Sequence, residues 1–353
     1  MIKVIQIVRN FTQYGGMENY VWHLSHELLD LGYRVVIICL SSEEHYDKRI
    51  KVIKIKQSFK FRSSWKKHLV FSYKLRKIFS KKHYLKKYVI HSHERVSIQD
   101  LSTIHGPLIK DRKRSIFDFL SPRLTAWKFL EKREFNSPNL VCIFPNSIES
   151  YNKFNFFYKN VNAAVCKPAY PGVDESFYSI ENKENILNIG FIGKEWKRKG
   201  LPFAVNFYKK ILSENNKLHF YVAGPDPDEI KHLFSDISTN RYTLLGWSNS
   251  FDFFRKIDLL IHPALNEPFG MVSAEANASG VYQFVSKHTG FKEFINPRTG
   301  KILPLDESKW VEEFKKILNN HIKVERIFFS WKQLALSHSL IYKMISKTKK
   351  TIF

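Results

Sequence analysis

The apolar positions of this chain fall into two successive series of short runs and helical repeats. Residues 2–8 form a mostly apolar run, which predicts a buried parallel strand. After a Gly15-Gly16 turn, Val21, Leu24, Leu28 and Leu31 recur at helical spacing, predicting a helix from Glu18 to Leu31 that Gly32 ends. Val35 to Leu40 is the next strand, so the chain opens with a β-α-β unit and implies a parallel sheet with a right-handed crossover. Further strands are predicted at 88–91, 101–105 and 140–144, and an amphipathic helix at 124–135. Lys167-Pro168-Ala169-Tyr170-Pro171-Gly172-Val173-Asp174, rich in proline and glycine, reads as a hinge. Beyond it the pattern restarts, with strands at 186–192, 218–223, 242–245, 259–262 and 282–286, a helix at 202–213 and a closing helix at 325–347. The expected architecture is α/β, two doubly wound halves at 1–168 and 169–330, with a ligand at strand C-termini in the cleft between them.

Two loops of the second half carry candidate chemistry. The strand 258–262 stops at Pro263, and helical spacing resumes from Gly270 to Asn277, so a loop holding Glu267 joins strand to helix. Glu275 follows eight residues later, inside that helix. The start of the helix offers unpaired N–H groups and a positive dipole end, which suits a phosphate near Phe269, Gly270 and Met271. Carboxylates do not bind phosphate, so the glutamates would take hydroxyls on either side of it, the layout of a sugar nucleotide. The second loop, Phe191-Ile192-Gly193-Lys194-Glu195-Trp196-Lys197-Arg198-Lys199-Gly200, concentrates four cations between glycines, a suitable charge for a departing diphosphate.

The Glu-x7-Glu pair, set between His262-Pro263 and the helix Gly270 to Ala276, resembles the motif of retaining glycosyltransferases of family 4. Members have the GT-B fold: two Rossmann-like domains facing a central cleft. The Arg198-Lys199-Gly200 ending of the basic loop is most like the lipopolysaccharide-core glucosyltransferase branch. The resemblance implies that Glu267 binds sugar hydroxyls and Glu275 the ribose, while Lys194, Arg198 and Lys199 neutralise the diphosphate. It matches Gly15-Gly16 to the opening loop bordering donor phosphates and acceptor, and His105 to a strand-end histidine touching the donor sugar. His93 resembles the second histidine of a His-x-His segment, and Asn146-Ser147 a polar pair after the last strand of the first domain. Pro171-Gly172-Val173-Asp174 is similar to the family's interdomain sequence. Ser330-Trp331 is similar to the start of its C-terminal helix, so 331–353 is expected to cross back to the first domain. Two departures stand out: Lys194 replaces a frequent arginine, keeping charge but losing the bidentate fork, and Gly280-Val281-Tyr282 replaces Gly-x-Pro. Catalysis without a bound cofactor or metal is implied, with the nucleotide sugar as co-substrate.

Composition adds a surface to this picture. The chain of 353 residues carries a formal net charge of +24, unevenly spread. Residues 51–90 contain fourteen Lys or Arg and no acid, interleaved with Phe59, Phe61, Trp65, Phe71, Tyr73, Phe79, Tyr84 and Tyr88. Basic stems with aromatic rings suit an anionic membrane interface, and Trp65, Lys66 and Lys67 are its candidate contacts. The same recipe serves RNA, and a solvated basic face has the same composition. No apolar run nears the roughly 20 residues that span a bilayer, and no signal-peptide pattern opens the chain. The expectation is a cytoplasmic protein, peripheral on the inner face of the membrane, acting on a glycan or glycolipid acceptor and not on nucleic acid. Cys39, Cys142 and Cys166 lack metal or redox spacing and are expected to be buried thiols. Two other readings share the fold: a sugar-nucleotide epimerase, which needs no acceptor, and a non-catalytic nucleic-acid binder.

Overall fold

The computed structural model describes residues 1–56, 62–80, 87–112, 118, 121–181, 186–318 and 322–352. Phe59, Phe61 and Tyr84 of the basic segment lie outside them. The chain forms two compact units: residues 1–172 with 330–353, and residues 173–329.

Unit 1 is built on a seven-stranded parallel sheet. Its strands are β1 (Lys3–Ile7), β3 (Arg34–Cys39), β5 (Lys51–Lys54), β6 (Val89–Ser92), β7 (Leu101–Ile104), β8 (Cys142–Pro145) and β9 (Ala164–Val165), and a separate short pair joins β2 (Asn10–Phe11) to β4 (Ser41–Ser42). The order is β5-β3-β1-β6-β7-β8-β9. Alternation along β1 decides what lies on each face. Ile5 and Ile7 join Val36, Ile38 and Ile90 beneath Phe71, Leu75 and Phe79 of the helix Ser64–Phe79. Gln6 is fully buried on the other face, which is covered by the helices Gly16–Asp30 and Trp331–Ile352. A buried amide needs partners. Gln6 donates to the Tyr342 hydroxyl at 2.9 Å, and Tyr33 reaches Ser339 at 2.6 Å, so polar groups tie the C-terminal helix to this unit.

Unit 2 holds a six-stranded parallel sheet in the order β12-β11-β10-β13-β14-β15. The strands are β10 (Asn188–Ile192), β11 (His219–Ala223), β12 (Tyr242–Gly246), β13 (Leu259–His262), β14 (Tyr282–Ser286) and β15 (Gly300–Leu303). Its core is aromatic: Phe207, Phe220, Phe284, Trp310 and Phe314 are all fully buried. In each sheet the strand order reverses beside the first strand, between β1 and β6 and between β10 and β13. Loops leaving the strand ends at such a point diverge to opposite faces and leave a crevice.

The structure departs from the sequence expectations in several places. The closing helix starts at Trp331, not 325, because the preceding N–H groups are used elsewhere: Ile327 donates to Asn277 Oδ1 and Phe329 to the Tyr178 hydroxyl. The helix Ser64–Phe79 was not expected within the basic segment, nor was Glu307–Ile317, whose Trp310, Phe314 and Ile317 have helical spacing. The edge strand β5 escapes pattern reading because both its ends are exposed lysines, and β9 because it has only two residues. Cys142 and Cys166 form a disulfide, correcting the expectation of three thiols, while Cys39 is a free buried one. Pairing of β8 with β9 sets Cys166 one rung beyond Val165, with its N–H on the Ile143 carbonyl.

Trp310 packs edge-on to Phe203, Phe207 and Phe284 and donates its indole N–H to the Pro304 carbonyl. Trp310→Ala therefore removes a large buried side chain and one of the two donors to that carbonyl, which keeps the Asp306 N–H at 2.8 Å. It should cost about 3–5 kcal/mol and lower the thermal unfolding midpoint.

Candidate active site

In unit 2 the site forms at the ends of β10 and β13. Gly193 follows β10 at φ +155°, and a Cβ there would sit 2.2 Å from Lys199 Cδ, so only glycine lets the lysine lie back across the loop. Residues Trp196–Lys199 make one helical turn, and the Leu265 N–H bonds the Arg198 carbonyl at 2.9 Å, locking the two loops together. Arg198 donates to the Asn266 carbonyl at 2.5 Å and to Glu267 Oε2 at 3.2 Å, while its other face pairs with Glu195 at 2.6 Å. Lys199 Nζ lies 3.6 Å from the same Glu267 oxygen. The Glu267 backbone is clamped on both sides, its N–H to His288 O at 3.0 Å and its carbonyl by Gly290 N–H at 2.8 Å.

Electrostatics separate the two glutamates. Burial pushes Glu267 up, but Lys199 and Arg198 overcome it and hold the carboxyl below its ordinary range, so it is ionised. Glu275 is dominated by burial, only partly opposed by Lys199 and a Ser250 hydrogen bond, and is pushed up to about 7. His262 Nε2 is 3.9 Å from Glu267; burial, reinforced by the Lys199 charge, drops its pKa to about 3 and leaves it neutral. The helix Met271–Ala278 begins after Gly270 at φ +101° with no side chain capping its N-terminus, and buried Phe269 packs on Phe291 below it. Lys194 is exposed. Two cations, a helix start and two glutamates of opposite protonation preference thus gather on one side of this sheet.

In unit 1, the Gly15-Gly16 turn is exposed at the start of its helix, with Gly15 at φ +101° and the Glu18 carboxylate against it. His93 is buried and His105 half-buried, joined by a 2.8 Å bond from His93 Nδ1 to His105 Nε2. Trp65, Lys66 and Lys67 sit at the start of the helix Ser64–Phe79; Lys66 lies over the Trp65 ring at 5.3 Å. That helix buries His68, Phe71, Ser72, Leu75 and Phe79 and exposes Lys66, Tyr73, Arg76, Lys77 and Ile78. Pattern reading missed the Arg9–Glu94 pair at 2.9 Å, which closes the loops after β1 and β6, and the partners of Gln6. A buried Gln in an apolar strand was the available signal for the latter.

Residues 14–142 match the family described as Glycosyltransferase Family 4, and residues 186–320 match Glycosyl transferases group 1. The chain is a glycosyltransferase of the GT-B fold. This glycosyltransferase is 22% identical over 380 residues to the gpi3 subunit of phosphatidylinositol N-acetylglucosaminyltransferase from Schizosaccharomyces pombe, covering 95% of this chain and 79% of that protein. Among solved structures it is similar to WaaG, a glycosyltransferase involved in lipopolysaccharide biosynthesis, with TM-score 0.78, 15% identity and 99% coverage of both chains. It is also similar to Anabaena HepE in complex with UDP and glucose, with TM-score 0.65, 15% identity and coverage of 100% of this chain and 98% of that one.

The raised Glu275 pKa has a consequence for stability. Between about pH 4.5 and 7 the folded glycosyltransferase keeps a proton that the unfolded chain has released, so stability falls as pH rises across that window. Glu275→Gln removes the titrating group. Thermal midpoints measured against pH should decline less steeply through this range in the variant, with no difference at lower pH.

Proposed function

We propose that this glycosyltransferase moves a sugar from a nucleotide-diphosphate donor, UDP-linked for preference, to a hydroxyl of a lipid-borne glycan, with retention of anomeric configuration. The observation that carries the reading is the meeting of Arg198 and Lys199 on Glu267 beside the uncapped start of the helix Met271–Ala278. A diphosphate arriving there exchanges one carboxylate partner for several phosphate oxygens and adds the backbone N–H groups of the first turn. Glu267 then turns to the sugar hydroxyls and Glu275 to the ribose. Charge builds on the diphosphate as the glycosidic bond breaks, and Arg198, Lys199 and Lys194 stabilise it more in the transition state than in the ground state. The acceptor hydroxyl attacks from the leaving-group side, and its proton passes to the departing phosphate. No carboxylate nucleophile and no divalent ion enters this scheme, since the cations come from the protein.

The membrane-borne acceptor rests on the exposed basic and aromatic face of the helix Ser64–Phe79, where each basic residue contributes about 1 kcal/mol near an anionic surface. It also fits the names of the relatives, one acting on phosphatidylinositol and one in lipopolysaccharide biosynthesis. No helix among the described residues is long and apolar enough to cross a membrane. The basic face is what favours a peripheral enzyme on the cytoplasmic leaflet.

A thermal-shift screen of UDP-, GDP- and ADP-sugars tests the donor half. A UDP-sugar should raise the midpoint, by mass action on the folded state, and Lys199→Ala should abolish the rise. Silence toward all of them would remove the reading. For the acceptor half, changing Lys51, Lys54, Lys56, Lys66, Lys67 and Lys77 to Gln should abolish sedimentation with anionic vesicles while leaving donor hydrolysis intact. Undiminished sedimentation would refute the membrane assignment.

A further inference from the structure

We propose that His262 is a positioning residue for Glu267. When a diphosphate draws Arg198 and Lys199 away, the His262 Nε2–H takes over the Glu267 carboxylate and fixes the oxygen left for the sugar. The proposal rests on the donor reading above.

His262 is the last residue of β13, and alternation along that strand sets its direction. Leu259 and Ile261 join the aromatic core of unit 2, so His262 lies on the opposite face of the sheet. It is 1% exposed, yet its Nε2 is a buried polar atom with no hydrogen-bond partner. Folded chains seldom leave such an atom unmatched. Here an acceptor stands just out of reach, because Glu267 Oε2 is 3.9 Å away. That is about 1 Å beyond an ordinary N–H···O bond.

Cations hold the carboxylate off. The same Oε2 accepts from Arg198 Nη1 at 3.2 Å and faces Lys199 Nζ at 3.6 Å. Three donors thus surround one oxygen, and two of them are the groups a diphosphate would claim. The Glu267 backbone is clamped at its N–H and its carbonyl, so the remaining shift falls to side-chain torsions.

Protonation states suit the exchange. Burial, reinforced by the Lys199 charge, drops His262 to about 3 and keeps the ring neutral. Burial pushes Glu267 up, but Lys199 and Arg198 overcome it and keep the carboxylate ionised. A neutral imidazole has one N–H, and electrostatics favour Nε2 for it, since a lone pair there would face a carboxylate. Once its cations turn to phosphate, Glu267 becomes a buried carboxylate short of partners, a condition that favours uptake of a proton. The His262 N–H supplies the missing bond and keeps both oxygens as acceptors. Being neutral, it competes poorly with the cations beforehand and does not contend for the diphosphate afterwards.

The full chain labelled with 15N-histidine, titrated with UDP at neutral pH, tests this directly. In the free protein His262 should be neutral with its proton on Nε2; an Nδ1–H tautomer overturns the proposal. UDP should move that proton downfield and slow its exchange with solvent, and uridine, which lacks phosphate, should do neither. A response to uridine, or UDP binding without the response, overturns the proposal. Two variants separate positioning from packing. His262→Leu removes the donor and should weaken UDP binding about tenfold, whereas His262→Gln keeps an N–H and should stay within about twofold of wild type. Full affinity in folded His262→Leu, or an equal loss in His262→Gln, also overturns it. If His262→Leu does not fold, the titration of the labelled wild-type chain decides alone. Absence of any UDP binding to the wild type sinks the donor reading and this proposal with it, while binding without the His262 response sinks only the proposal.

Discussion

A parallel sheet must send each connection over one face or the other, and where the direction changes two neighbouring loops are left uncovered. In unit 2 those are the loops after β10 and β13, and everything functional in that unit follows from their adjacency. The backbone bond from Leu265 to Arg198 is a direct product of it. So is the approach of two cations to one carboxylate, groups 68 and 69 residues apart in sequence from Glu267. Hydrophobic burial of the aromatic core supplies the rigidity that holds these loops in place, because neither loop has a core of its own.

The two cations of that crevice are held against carboxylates that a diphosphate can replace. Arg198 divides its guanidinium between Glu195 and Glu267, and Lys199 faces a Glu267 already shared. Glu275, pushed up to about 7 by burial, carries only part of a negative charge near neutrality. The polar groups are thus arranged before any ligand arrives. Such preorganisation spares the reorganisation that a flexible site would undergo during reaction.

Much of this was legible from residue patterns. Buried parallel strands read as Val- and Ile-rich runs, so β1, β3, β10 and β13 were apparent, as was the placement of Glu267 in a strand-to-helix loop. Less legible were elements whose signal is mixed with charge. The helix Ser64–Phe79 has helical spacing of Phe71, Leu75 and Phe79, but lysines between them drew attention to composition instead. Long-range polar pairing was opaque: nothing near Gln6 in sequence foretells a partner at Tyr342, since complementarity of buried groups is decided only when helices dock. The disulfide was hidden for the same reason, its register being set by the two-residue strand β9.

Unit 1 is discontinuous, and this bears on how the protein is made. The Tyr342 hydroxyl that completes the bonding of Gln6 and His91 lies on a helix that leaves the ribosome only after all of residues 173–329. During synthesis the inner face of the first sheet therefore waits with Gln6 and His91 each short of the Tyr342 hydroxyl, their remaining partners being His93 and Thr103, and with exposed apolar neighbours. Closing so wide a sequence gap is slow, and nascent chains in that condition are natural clients for chaperones.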